Sequence, residues 1–527
     1  MISRVLNCIL FLSIISLSKG VASDQEPYTS FYVPNKYVQE NGFLKEHQNL
    51  MHPPQFAKIK EKLPRPEWDA RPDVISSYWK AWEMGFSNIK AATPQNGFIS
   101  PYIDPVFNGN IFMWDCSFMT MFGKYGAHAF HFQGTLDNFY CKQLPDGFIC
   151  REIYGTSGKN CFEKYDPSST GPNIMPWAEW EYYLNFNDRK RLEKVFPPLL
   201  AYYQWMNLNR TWQDGSYYLS GWGCGMDNQP RLRGNYHREF SHGHMSWIDA
   251  NMQQILSGKI LVSMARELGR EADVKDIQKE VDFLSRFVNE KMWNSDKKCY
   301  ADRFRDGSIS GVQTIGAYWA LLADVIPADR IKSFVSHLEN PTKFKRPHRV
   351  PTLSADDPAY VKNGGGYWCG AVWAPTNYMV LRGLSRIGED KIAFDIGLNH
   401  LNNVTQVFQE TGTFFENYDP EITKGRCRPG MVGWTGLVPI AVLFEYVFGL
   451  RADVPHNTLI WDIRLTDSFG VKQYPFGKDG LLDLYCALRP NGLQKPEITV
   501  KSNRDFTLKV IWGGGSEEIA VKAETDE

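Results

Sequence analysis

The feature that most restricts the fold is a series of short amphipathic helical segments, following one another between about residues 66 and 450. Ile277, Val281, Leu284 and Val288 step by four, three and four, which puts all four on one helix face. The segment 245–268 before them reads as a helix stopped by Gly269. Residues 315–325, 328–338, 377–387 and 391–401 read as further helices, separated by glycine or proline breaks. Serial pairs of this kind make helical hairpins, each with an apolar face that must be covered. So many in a row need a toroid or a solenoid. No fixed-period repeat of the solenoid type is present. The expected fold is therefore mainly α, a closed helical barrel over residues 66–454.

The ends of the chain differ from this middle. Residues 1–22 carry Arg4, an apolar run from Cys8 to Leu17, and the small residues Gly20 and Ala22, the pattern of a cleaved signal peptide. The mature protein is expected to be secreted or periplasmic. Residues 23–65 are polar and dotted with proline, as an N-terminal arm would be. After Pro455, Leu459, Trp461, Ile463 and Leu465 alternate with polar residues, and short apolar runs continue to Trp512. Residues 455–527 are expected to form a small β-sandwich-like domain with a structural role. No later segment is long and apolar enough to span a bilayer. A formal net charge of -1 offers nothing to attract nucleic acid or an anionic membrane. Past Cys8 the cysteines are odd in number, against a fully paired framework, although Cys141, Cys150 and Cys161 lie close in sequence. No Cys or His spacing suggests zinc.

The loops between the helices carry the chemistry. Aromatic residues make up 14% of the chain, enough to point to ring faces that dock sugars. In Ser220-Gly-Trp-Gly-Cys-Gly-Met-Asp-Asn-Gln-Pro-Arg231, one carboxylate, Asp227, follows three closely spaced glycines and Trp222. Glycines so spaced mark a backbone that bends or is closely approached. Other aromatic loops are Phe112-Met-Trp-Asp115, Gly364-Gly-Gly-Tyr-Trp368 running on to Trp373 and Tyr378, and Phe414-Phe-Glu-Asn-Tyr-Asp419 followed by Gly433-Trp-Thr-Gly436. Glycoside hydrolysis needs two carboxyl groups converging from separate segments. Asp227 and Glu416 are such a pair, and Glu239 is the alternative for either place.

These motifs, in this order from Trp114 to Phe444, resemble glycoside hydrolase family 63. Gly225-Met-Asp-Asn228 with Pro230-Arg231 is similar to the family's acid motif. Glu416-Asn-Tyr-Asp-Pro420 with Gly433-Trp-Thr435 is similar to its base motif. Gly366-Tyr-Trp-x-Gly370-x-Val-Trp373 with Asn377-Tyr378 is similar to its substrate loop. Trp114-Asp115 and Trp247-Ile-Asp249 also resemble family positions. The resemblance implies an (α/α)6 barrel, an inverting mechanism and α-glucoside-type substrates. It makes Asp227 the general acid and Glu416 the general base. Trp114, Asp115, Trp222, Asn228, Arg231, Asp249, Trp368, Trp373 and Trp434 are the expected substrate-binding residues. One departure stands out: the family's Arg after the Trp of Gly-Tyr-Trp is Cys369 here, which trades a planar fork of donors for one weak donor. The sugar contacts or the support of the loop should differ there.

The implied substrate is an oligosaccharide or a small glycoside. The chemistry requires no cofactor or metal, and acids beside loop carbonyls leave room for a structural calcium ion. Trehalase, α-mannoside or glycerate-glycoside hydrolase, and non-catalytic sugar-binding protein remain as alternatives.

Overall fold

The computed structural model describes residues 33–430 and 433–524. The expected signal segment, 1–22, lies outside them. From Pro72 to Val447 the chain is helix-rich. The longer helices are Pro72–Ser87, Met113–Gly123, Met175–Phe186, Arg189–Asn209, Ile248–Leu268, Lys275–Lys291, Ala374–Arg386 and Asp390–Thr411, and a wide π-type run covers Val438–Val447. The helix Lys275–Lys291 buries Ile277, Val281, Leu284 and Val288, the stripe its sequence shows. Gly269 ends Ile248–Leu268 in the left-handed conformation at φ 71°.

One motif read as a loop begins a helix instead. Trp114 and Asp115 lie in the first turn of Met113–Gly123, and every residue of that helix is buried. A helix buried all round has no polar face, so it leaves no 3.6-residue period to read. Likewise, Trp373 is the residue before the helix Ala374–Arg386, with Pro375 in its first turn.

The helical body holds a buried charge cluster. Lys124 Nζ lies 3.2 Å from Glu181 and 3.1 Å from Glu445. Tyr125 and Tyr378 donate to Glu445 at 2.7 and 2.8 Å, and Arg382 pairs with Glu181. These bonds join the turn Lys124–Gly126, just after the helix 113–123, to the helices 175–186, 374–386 and 438–447. A charge this deep is tolerated only when paired and hydrogen-bonded.

The C-terminal part forms two four-stranded sheets. In one, Arg65–Glu67, Phe469–Pro475, Leu481–Cys486 and Ile498–Ser502 lie antiparallel in that order. In the other the order is Leu450–Asp453, Thr458–Asp462, Phe506–Trp512 and Gly515–Val521. There Thr458–Asp462 runs parallel to Phe506–Trp512, with Trp461 opposite Val510. The sheets therefore begin at Leu450 and also recruit a strand from just before the first long helix. Their apolar side meets the helical body. Tyr474 sits beside Tyr125 and Phe444, and Phe469 beside Phe448 at 4.8 Å. Residues of the N-terminal arm rest on the same body. Asn41 donates to Tyr140 O and to Gln143, and Tyr37 to Asp273. Cys141, Cys150 and Cys161 are free thiols, as are the other cysteines among the described residues.

Candidate active site

The acid loop is built by tight contacts that only glycine allows. Ser220 caps the short helix Gly221–Cys224 by accepting from Gly223 N at 3.0 Å. Gly225 then turns the chain at φ 76°. A Cβ on Gly225 would overlap the Trp114 ring, and one on Gly221 would overlap the Arg238 carbonyl oxygen. The bend delivers Asp227 to a cavity of about 350 Å³, whose wall includes Trp114, Asp115, Trp222, Asp227, Trp368 and Trp434.

The facing loop is as constrained. Gly364, Gly365 and Gly366 all have positive φ, and Tyr367 follows at 65°. A Cβ on Gly365 would overlap the backbone of Ala371. Tyr367 pays for this conformation with strain, and in that pose it lines the cavity and donates to Glu416 Oε1 at 3.1 Å. Glu416 lies on the strand Phe415–Tyr418, where the pairing with Gly425–Pro429 shifts register between Phe415 and Asn417. That irregularity sits at the carboxylate itself, and bulges commonly re-aim a side chain.

Two bridges stitch the loops together. Asn228 donates to Gly366 O and accepts from Trp368 N, each at 3.0 Å. Gln229 donates to Thr352 O at 2.9 Å and Trp368 O at 3.3 Å. Cys369 Sγ reaches Asn228 O at 3.2 Å. Cys369 is thus sealed against the acid loop and does not line the cavity; where it departs from the family pattern, it supports the loop. Asp419 accepts from Glu421 N, forming its own Asx turn, and from Gly364 N at 3.0 Å.

The tryptophans form a box. Trp368 stacks on Trp373 at 3.7 Å and 4°. Trp434 stands edge-on to Trp114, Trp368 and Trp373 at 5.5, 6.3 and 5.5 Å. Trp373 is fully buried behind Trp368 and does not reach the cavity. Two polar atoms in the wall have no protein partner: Asp115 Oδ1 and the indole Nε1 of Trp368. Orphaned buried polar atoms are costly, and both of these lie on residues of the cavity wall.

Besides Trp373, three more expected binding residues lie outside the cavity wall. Arg231 is sealed in a fork, with Asp249 at 2.6 and 2.9 Å and Asp302 at 2.8 and 2.6 Å, under Trp247. Held between two carboxylates, Arg231 does not line the cavity, and Asp249 is spent on the same pair. Asn228 spends its amide on the loop bridge. All three position the site from behind. In turn, Phe107, Asn108, Phe112, Arg151, Glu152, Tyr367 and Arg428 line the cavity without having been expected there. Of these, Phe112 and Tyr367 stood inside quoted motifs, Phe112 at the head of the Trp114-Asp115 loop and Tyr367 between Gly366 and Trp368. Glu239 stays near the acid without lining the cavity; its carbonyl accepts from Trp222 N at 2.8 Å.

The carboxyls are tuned apart from their ordinary values. Enclosure by protein pushes Asp227 up to about 7; Arg151 opposes this, while Glu239 and Glu416 add to it. Burial also raises Glu416, against the Tyr367 hydroxyl and the Arg428 charge, which favour its ionised form. The support comes from Tyr367 and Arg428, whereas both side-chain atoms of neighbouring Asn417 lack a hydrogen-bond partner and the Tyr418 hydroxyl is taken up at Phe415 N. Asp115 is held far toward its neutral form by burial, with Glu416 and Asp227 adding repulsion. Among the described residues, no group of three His, Cys, Asp or Glu is placed to hold a metal ion.

The chain is similar to several known proteins. A protein of Borreliella burgdorferi, itself uncharacterized, is 24% identical over 373 residues, 68% of this chain and 76% of that protein. A probable mannosyl-oligosaccharide glucosidase of Schizosaccharomyces pombe is 24% identical over 280 residues, 47% of this chain; the match spans about a third, 34%, of that longer protein. The crystal structure of a GH63 mannosylglycerate hydrolase from Thermus thermophilus with glucose superposes with a TM-score of 0.57 at 19% identity, covering 69% of this chain and 98% of that one. The profile described as "Mannosylglycerate hydrolase MGH1-like glycoside hydrolase domain" matches residues 82–430. The chain therefore belongs to the MGH1-like glycoside hydrolases and is a glycoside hydrolase.

Proposed function

We propose that this hydrolase cleaves an α-glycosidic bond, of α-glucoside type, with inversion, on a helical body arranged as an (α/α)6 barrel. The observation that carries the reading is the pair Asp227 and Glu416. They come from distant segments and lie close enough for Glu416 to raise Asp227; Asp227 lines the tryptophan-walled cavity, and Glu416 stands behind its wall, held by the cavity-lining Tyr367. The sugar ring sits in the box of Trp114, Trp368 and Trp434, beside the Asp115 carboxyl. Asp227 gives its proton to the glycosidic oxygen as the bond to the anomeric carbon breaks. Glu416 takes a proton from the water that attacks the opposite face. The product sugar leaves with inverted configuration, and Glu416 holds the proton that must return to Asp227 through solvent. No organic cofactor or metal enters these steps. The signal-like segment 1–22 supports export as the setting.

A screen of α-linked disaccharides, trehalose, and the glucosyl and mannosyl glycosides of glycerate tests the substrate. Its pH profile tests the roles. Asp227 must be protonated, so kcat/KM falls as pH rises through about 7. Glu416 must be ionised, so the acid limb lies above the ordinary carboxylate value of 4.5. Tyr367→Phe removes a bond that favours the Glu416 anion, so its acid limb moves to higher pH. An acid limb that stays in place in this variant contradicts the base assignment.

A further inference from the structure

The cavity wall continues outward as a chain of rings on the side of the acid. Trp222 lines the cavity five positions before Asp227. Phe240 meets it at 4.5 Å and 73°, and His237 stacks on Phe240 at 4.4 Å and 23°. Phe162 touches the same Trp222 at 5.8 Å. Phe240 does not line the cavity and is 46% exposed. A lone exposed ring needs no explanation, but a contiguous run opening from an active-site wall marks a binding surface.

The turn that bears Phe240 is fixed to the acid loop. Trp222 N donates to Glu239 O at 2.8 Å, and Ser241 N to His237 O at 3.1 Å. The Arg238 carbonyl is packed so closely on Gly221 that no Cβ fits there. The turn, the short helix and Asp227 therefore form one unit. Polar groups interleave with the rings: Arg238 is exposed and Glu239 half-buried, on either side of the path in sequence. Flat apolar faces bordered by donors and acceptors match a pyranose, which has a C–H face and a hydroxyl edge.

We propose that Trp222 and Phe240 form a binding site for the leaving group, and that this leaving group is itself a sugar, so the substrate is an oligosaccharide and not the glycoside of a small acid. The inference rests on the acid role of Asp227, because the group that receives the acid's proton departs on the acid's side. Trp222 takes the first unit beyond the scissile bond, and Phe240 carries the next contact outward.

The test compares wild type and Phe240→Ala on four substrates that share one glycone: the α-glycosyl fluoride, an α-linked disaccharide, the corresponding trisaccharide and the glycerate glycoside. Fluoride leaves without touching the outer rings. The site predicts that Phe240→Ala lowers kcat/KM on the disaccharide and trisaccharide by about fivefold to tenfold, the worth of one stacked ring. It predicts no more than about a twofold change on the fluoride, and recovery in Phe240→Tyr. An equal loss on fluoride and oligosaccharide means that the turn only supports Asp227, and overturns the proposal. So does an unchanged rate on both oligosaccharides, or a wild-type preference for the glycerate glycoside. A wild type inert to the fluoride and to all three glycosides defeats the hydrolase reading itself, a result distinct from the loss of the outer site alone.

Discussion

Asp227→Asn will lower kcat on a substrate with a poor leaving group, such as an α-linked disaccharide, by about 10²–10⁴-fold, the usual worth of a general acid. Asn keeps the shape of the side chain and loses its proton. The tight path that places residue 227 is backbone and ring packing, through Gly221, Gly225 and Trp114, so the variant should fold and still bind sugar. The loss must shrink as the leaving group improves, because fluoride needs less protonation than a sugar alkoxide. The alkaline limb near pH 7 should also disappear, since Asp227 is the group pushed up to about 7. Activity on a series of leaving groups, with binding followed by calorimetry, reads all three. An equal loss across the series would assign Asp227 to positioning rather than to proton transfer.

Glu416→Gln is the second large loss, of similar size, and here fluoride gives no relief. Water must be deprotonated whatever group leaves, and Gln cannot accept that proton. Glu416 is buried at 3% exposure and held by Tyr367, so Gln can keep the hydrogen bond and the fold. Glu416→Ala opens space beside the anomeric carbon. Azide, which attacks without giving up a proton, should then restore bond cleavage and form a glycosyl azide of inverted configuration. Failure of azide to restore turnover, with the variant shown to be folded, would place the base elsewhere.

What could be read from the chain beforehand depended on whether a physical constraint left a local mark. Ile277, Val281, Leu284 and Val288 face a core on one side and water on the other, so their spacing shows the helix. Met113–Gly123 faces protein on every side, and its position had no comparable mark. The glycines around Asp227 were legible because close approach excludes a Cβ. Gly225 is small for the sake of Trp114, a partner more than a hundred residues away that only the fold identifies. Arg231 and Asp249 carry the residue types of a sugar site but satisfy each other and Asp302; motif and composition cannot distinguish an acid that awaits a ligand from one already paired. Arg151, Glu152 and Arg428 reach the cavity from short strands and hairpins with no motif of their own. The strand Arg65–Glu67 is three residues long, and its pairing with Lys472, Val471 and Gly470 is a tertiary choice that no local pattern encodes.

The most direct test of the acid/base pair acting with inversion is the configuration of the sugar at the moment of release. Proton NMR of a fresh hydrolysate, recorded before mutarotation, resolves the two anomeric signals. Water delivered by Glu416 to the face opposite the Asp227-protonated oxygen must give the β anomer first from an α-linked substrate. Appearance of the α anomer first would mean a double displacement through a covalent intermediate, and would contradict the assignment of Glu416 as a base.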